Sequence, residues 1–258
     1  MTVRTERDER GVVRVTLDAP KTRNALDAAM MDELSRIAGE LSGDRTARVI
    51  VLQGAGDWFC AGGDLNWMRA QADASDEGRR KEARRLADML GRLDRLPQAV
   101  IGRVQGGAFG GGVGLMSVCD TCIVADDARF GLTETRLGLI PATIGPYVVA
   151  RIGAGAARRA MLSGKRFDAA ETVRLGLAAR AVPAGALEEA IEREVAEHLK
   201  AAPGAVAAAK AMIRDLAPLV GEAAVAASVE RLSARWNDAE AQEGIAAFFE
   251  KRKPDWAD

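Results

Sequence analysis

The chain is poor in the residues that carry much of enzyme chemistry. It has one histidine, His198, and one tyrosine in 258 residues. A Ser-His-Asp or Cys-His hydrolase would have to use that one histidine, which falls on a helix-like stretch at 186–201, so this class is not expected. Cysteines number three: Cys60, Cys119 and Cys122. An odd count, behind an N-terminus (MTVRTERDER) too polar for a secretory signal, argues for reduced thiols and a cytoplasmic protein. The pair Cys119-x-x-Cys122 lies in an apolar run, and no second pair completes a zinc site, so no metal is expected. No apolar run approaches the ~18 residues of a membrane span. A charge excess is missing too: 36 Lys and Arg face 37 Asp and Glu, for a net charge of −1. That balance gives no electrostatic reason to expect nucleic acid or an acidic membrane surface as partner.

What is present is the composition of a globular protein with a real core, 48% hydrophobic and 28% charged. Residues 12–17 alternate like a strand, with Val13, Val15 and Leu17 on one face. Met30, Leu34, Ile37 and Leu41 make one stripe of a helix over 28–42, with Asp27 as its N-cap. The continuous run Val49-Ile50-Val51-Leu52 suits a strand buried on both faces. A helix around 76–95 stops at Pro97, and further strands are expected at 99–104 and 121–125. Alternating strands and helices predict an α/β core over 1–185. Residues 186–258 hold no convincing strand and read as helices of an appended region.

Two glycine-rich loops each follow a buried strand and open a helix: Trp58 to Leu65, and Gln105 to Gly114. In open α/β sheets ligands bind at such points. The spacing is not that of a phosphate loop. One N–H from each loop converging on one oxygen would make an oxyanion hole, worth several kcal/mol to a developing enolate. The glycines could equally serve tight turns and close helix packing. A third segment, Phe130 to Pro141, places Glu134 among apolar residues and turn formers. Desolvation there would raise its pKa toward the range useful for proton transfer. The other reading is a solvated glutamate paired with Arg136.

These three segments resemble the signature regions of the enoyl-CoA hydratase/isomerase (crotonase) family. Two framing stretches are also similar to family patterns: Pro20 to Leu26, and Glu243 to Pro254. The resemblance implies a crotonase-like spiral of ββα units with a C-terminal helical trimerisation region, assembled as a homotrimer or as a hexamer of two trimers. It implies an oxyanion hole from the amides of Gly63 and Gly111, and Glu134 as the proton-transferring carboxylate. Coenzyme A, bound only as part of the substrate thioester, would meet Cys60, Ala61 and Gly62. Phe248 and Lys251 would hold its adenine and 3′-phosphate, often from a neighbouring subunit. Arg23 is expected to contact its phosphates with Lys251, because flexible cations best hold a phosphate at a protein surface. Ordinary straight-chain hydratases carry a second glutamate where this chain has Gly114. Segments 64–68 and 133–149 are similar to bacterial methylglutaconyl-CoA hydratases of leucine breakdown, which can also carry that glycine. Trp67 and Met68 are then acyl-pocket wall, or else core of the next helix. Gly114 is expected to open space beside the double bond. Asp64 is read as a helix cap and Asp120 as structural. The expected activity is hydration of a branched or carboxylated enoyl-CoA. The alternatives are an isomerase working with Glu134 alone, or a catalytically weak acyl-CoA-binding or RNA-binding protein.

Overall fold

A computed structural model describes residues 2–216 and 220–257. The chain begins with an antiparallel pair, β1 (Val3–Arg7) and β2 (Val12–Leu17). Helix α1 (Ala28–Gly43) follows, and Asp27 caps it by accepting the Met30 N–H. Its stripe of Met30, Leu34, Ile37 and Leu41 is buried, as the spacing predicts. Next come β3 (Val49–Gly54), α2 (Leu65–Ala72), α3 (Asp76–Asp94), β4 (Ala99–Val104), β5 (Gly107–Phe109) and α4 (Gly111–Ser117). Then follow β6 (Thr121–Ala125), β7 (Arg129–Gly131), α5 (Gly145–Met161), β8 (Phe167–Asp168), α6 (Ala169–Arg174) and β9 (Arg180–Val182). Among the described residues four helices follow: α7 (Leu187–Leu199), α8 (Pro203–Leu216), α9 (Glu222–Trp236) and α10 (Ala239–Glu250). Among the described residues no helix is long and apolar enough to cross a membrane.

The strands form a six-stranded sheet in the order β1-β2-β3-β4-β6-β9 and a three-stranded sheet, β5-β7-β8. From β2 onward the larger sheet is parallel. The chain repeatedly lays one strand in the large sheet, one in the small sheet, and then a helix. β4, β5 and α4 are one such turn, and this gives the expected spiral. Isolated bridges carry the small sheet further, pairing Cys60 with Ala108 and Leu26 with Gly63. Val49 to Leu52 are at most 1% exposed, which is why that strand reads as an unbroken apolar run.

Cys119 and Cys122 are free and buried; their thiols sit against the Leu115 and Met116 carbonyls. His198 lies on α7 with its ring Nδ1 2.9 Å from the Glu194 carbonyl. Asp120 is structural, accepting the Val100 N–H and a 2.7 Å hydrogen bond from Lys210 of α8. The division at residue 185 differs from the packing. Leu187, Ala190, Ile191 and Val195 of α7 belong to the main core, so the core continues through α7. Helices alone gave no sign of this, because an amphipathic stripe does not name the surface it packs on. A second, smaller core joins Trp236, Ala241 and Ile245 of α9 and α10 to Leu139.

Candidate active site

A cleft of about 1310 Å³ runs between the two glycine loops, the Glu134 segment and the C-terminal helices. Gly63 reaches it through a backbone constraint. In the parallel bridge to Leu26, the Leu26 N–H donates to the Gly62 carbonyl and the Asp64 N–H donates to the Leu26 carbonyl. The intervening Gly63 N–H therefore points away from that bridge. Asp64 then caps α2, accepting the N–H groups of Asn66 and Trp67. Gly62 just before it has φ +98, a conformation that L side chains rarely adopt.

The second loop works differently. Gly110 takes φ 46 and ψ −114 and precedes α4, so Gly111 is the first residue of that helix. The first N–H groups of a helix have no intrahelical acceptor and carry partial positive charge. Among the described residues no backbone carbonyl accepts from Gly63 or Gly111 outside regular structure. The glycines also serve packing. A Cβ on Gly112 would lie 2.5 Å from the Cys60 carbonyl oxygen. Both readings of these loops hold together, since close packing is what brings the two amides to one cleft.

Glu134 opens a short 3-10 turn, Glu134–Leu137. A Cβ built on Gly110 would come 3.0 Å from Glu134 Oε1, so the carboxyl lies against the second glycine loop. Its Oε2 is sealed, with no hydrogen-bond partner among the described residues. Desolvation raises its pKa from 4.5 to about 7. Arg136 is turned elsewhere, donating to the Ser163 carbonyl, so it does not quench the carboxylate. The buried reading holds over the solvated pair.

The remaining expected residues divide. Arg23, Ala61, Gly62, Trp67, Met68 and Phe248 all line the cleft. The Arg23 guanidinium stacks 4.9 Å from the centre of the Trp58 ring. Trp67 and Met68 lie beside Gly63, with atoms 3.5 Å from where its Cβ would be. Cys60 is a correction: it is fully buried, its N–H donates to the Gly107 carbonyl and its carbonyl accepts from Phe109, leaving nothing for a ligand. Burial also pushes its thiol up to about 12. Lys251 ends α10 in a left-handed conformation outside the lining of this cleft.

Gly114 is the second correction. It does not open space in the cleft. The position its Cβ would take lies 2.6 Å from Ile144 Cγ2 and 3.1 Å from Ile144 Cβ. Ile144, thirty residues along the chain, fills that space and itself lines the cleft. Sequence reasoning missed Ile144, and also Gln71 and Thr143, both buried lining residues. A glycine in a helix is a local cue to a close neighbour, but it does not name which one.

The enoyl-CoA hydratase/isomerase family matches residues 7–258. The carnitinyl-CoA dehydratase of Proteus mirabilis is 34% identical over 252 residues, covering 95% of this chain and 94% of that protein. The crystal structure of an enoyl-CoA hydratase from Mycobacterium avium superposes with a TM-score of 0.88 at 30% identity, over 99% of both chains. Pseudomonas aeruginosa AtuE is 41% identical with a TM-score of 0.81, over the whole of both chains. With two backbone donors and one buried carboxyl on a shared cleft, this chain belongs to the enoyl-CoA hydratase/isomerase family and is an enzyme of the enoyl-CoA hydratase kind.

Proposed function

We propose that the protein adds water across the α,β double bond of a branched or carboxylated enoyl-CoA, of the methylglutaconyl kind. The observation that carries this reading is the sealed carboxyl of Glu134 on one cleft with the Gly63 and Gly111 amides. The thioester oxygen accepts from both amides. Glu134 takes a proton from water, whose oxygen forms the bond to the β-carbon. The electron pair of the double bond moves toward the thioester, and its negative charge is held by the two N–H groups. Return of the proton to the α-carbon restores the carboxylate, so one group serves as base and then acid. A carboxyl with a pKa of about 7 suits both roles near neutral pH.

Coenzyme A lies along the other end, with Ala61 and Gly62 against its pantetheine, Arg23 at its phosphates and Phe248 at its adenine. Lys251, outside the cleft of its own chain, serves a neighbouring subunit. Exposed Met212, Ile213 and Leu216 on α8 support a trimer or a hexamer of trimers, because such a face suits burial against another copy. The similarity to the carnitinyl-CoA dehydratase of Proteus mirabilis supports addition or loss of water on a substituted acyl-CoA. A second reading, double-bond migration, is favoured by Ile144: an apolar side chain stands where a second water-holding carboxylate would otherwise be reached. A panel of enoyl-CoA thioesters assayed for both hydration and double-bond migration decides between them. Fastest hydration of crotonyl-CoA, or migration without water addition, refutes the first reading.

A further inference from the structure

One face of α3 looks into the cleft. Arg79, Glu82, Ala83 and Leu86 all line it, at the three- and four-residue spacings of a single helix stripe. Glu82 is the one acid of that stripe, and its side chain is only 18% exposed. A carboxylate in such a wall is costly unless its oxygens are occupied. Here each oxygen has a partner. Oε2 accepts from the indole Nε1 of Trp67 at 2.9 Å, and Oε1 accepts from Arg85 Nε at 3.2 Å. Arg85 in turn donates to Asp32 of α1.

The pair of Glu82 with Arg85 alone would be an ordinary i,i+3 contact along α3, worth little. The bond to Trp67 is different, because it joins α3 to α2. Trp67 belongs to the first turn of α2, behind the Asp64 cap. Its six-membered ring lies against the oxyanion glycine, with Cζ3 3.5 Å and Cε3 3.6 Å from where a Gly63 Cβ would be. Nε1 sits on the opposite edge of the indole, and that edge is tied to Glu82. A rotation that moved the ring off Gly63 would also pull the N–H from its acceptor. The indole is held at both edges.

We propose that Glu82 is a positioning residue for the acyl chain. It acts through Trp67, fixing the indole as a rigid wall for the carbons beyond the α-carbon of a thioester whose oxygen meets the Gly63 amide. This rests on the reading of the cleft as an enoyl-CoA site and names the residue that sets how closely the acyl group is held. A wall already in place costs the ligand no ordering of the side chain, whereas a loose indole would have to be immobilised on binding.

The test uses two saturated thioesters, acetyl-CoA and butyryl-CoA, titrated calorimetrically so that no turnover is needed. The acetyl group ends at the α-carbon and stops short of the wall. The wild type should bind butyryl-CoA about tenfold more tightly, the size of two buried CH₂ groups. Glu82→Ala should cut that preference about threefold or more and leave acetyl-CoA affinity unchanged. Trp67→Phe keeps a ring but lacks the donor, and should do the same. Glu82→Ala added to Trp67→Phe should then change nothing further. Glu82→Gln still offers the indole an acceptor and should keep most of the preference. Equal binding of both ligands by the wild type, additive losses in the double variant, or a Glu82→Gln no better than Glu82→Ala overturns the assignment. Hydration assays on the same samples keep the two readings apart. Hydration with a preference that ignores Glu82→Ala sinks the positioning role alone, and a preference that follows Glu82 without hydration sinks the hydratase reading alone.

Discussion

Replacing Glu134 by Gln keeps the shape of the side chain and removes its titration, and the structure sets two magnitudes. The first is catalytic. If Glu134 is the acid and base of the reaction, turnover should fall by ~100-fold to 10,000-fold. The second is thermodynamic. Desolvation raises the Glu134 pKa from 4.5 to about 7, so the folded chain holds a proton that the unfolded chain releases. Between those two values the native state binds more protons, and stability falls as pH rises. Below 4.5 both states are protonated and nothing is lost. Above about 7 the whole penalty is present, on the order of 3 kcal/mol for such a shift. Gln carries no such penalty at any pH. It does leave an amide where Oε2 has no partner, which costs about 1–3 kcal/mol but does not vary with pH. The stability of Glu134→Gln relative to wild type should therefore rise from pH 4 to pH 8. Denaturant unfolding of both proteins at several pH values measures it, with kcat recorded on the same samples. A relative stability flat with pH would show that the carboxyl is not desolvated. A flat profile with full loss of activity would leave its chemistry intact but remove the argument for a pKa near neutrality.

Other outcomes follow from the same geometry. Gly111→Pro deletes one N–H at a first helical position, where proline is tolerated, and should cut turnover by roughly 100-fold. Gly111→Ala is the control for displacing Leu26, whose Cδ1 would sit 2.7 Å from the new Cβ; equal losses in the two variants would show packing alone. Arg23→Ala should raise KM for coenzyme A thioesters about tenfold and leave acyl-pantetheine thioesters unchanged, and an equal change in both ligands removes the phosphate role. Gly114→Glu alone should destabilise the fold by about 1–3 kcal/mol through its clash with Ile144. The pair Gly114→Glu with Ile144→Ala should restore stability and speed hydration of crotonyl-CoA; thermal melts and a hydration assay would refute it if the pair melts no higher than the single variant.

The long elements were legible because each carries its own signal. The alternation at 12–17, the stripe from Met30 to Leu41 and the Asp27 cap are all local, and all reappear in β2 and α1. The small sheet was not legible. Its strands, Gly107–Phe109, Arg129–Gly131 and Phe167–Asp168, are too short to show a period and exist through their pairing. The site divided along the same line. Gly62, Gly63, Gly111 and Glu134 stand in compact segments with recognisable spacing. The contact between Gly114 and Ile144, and the burial of Gln71, depend on chain segments meeting across the fold.

The C-terminal helices give the cleft one of its walls, through Leu232 and Trp236 of α9 and Phe248 of α10. The same helices pack on the core through a small cluster around Leu139. Docking of the tail and occupancy of the cleft are therefore a single linked equilibrium. A ligand that touches both walls holds the tail down by as much as its affinity for the docked state exceeds that for the undocked one. Protection of the tail against a protease then becomes a gauge of ligand binding that needs no chemistry at all.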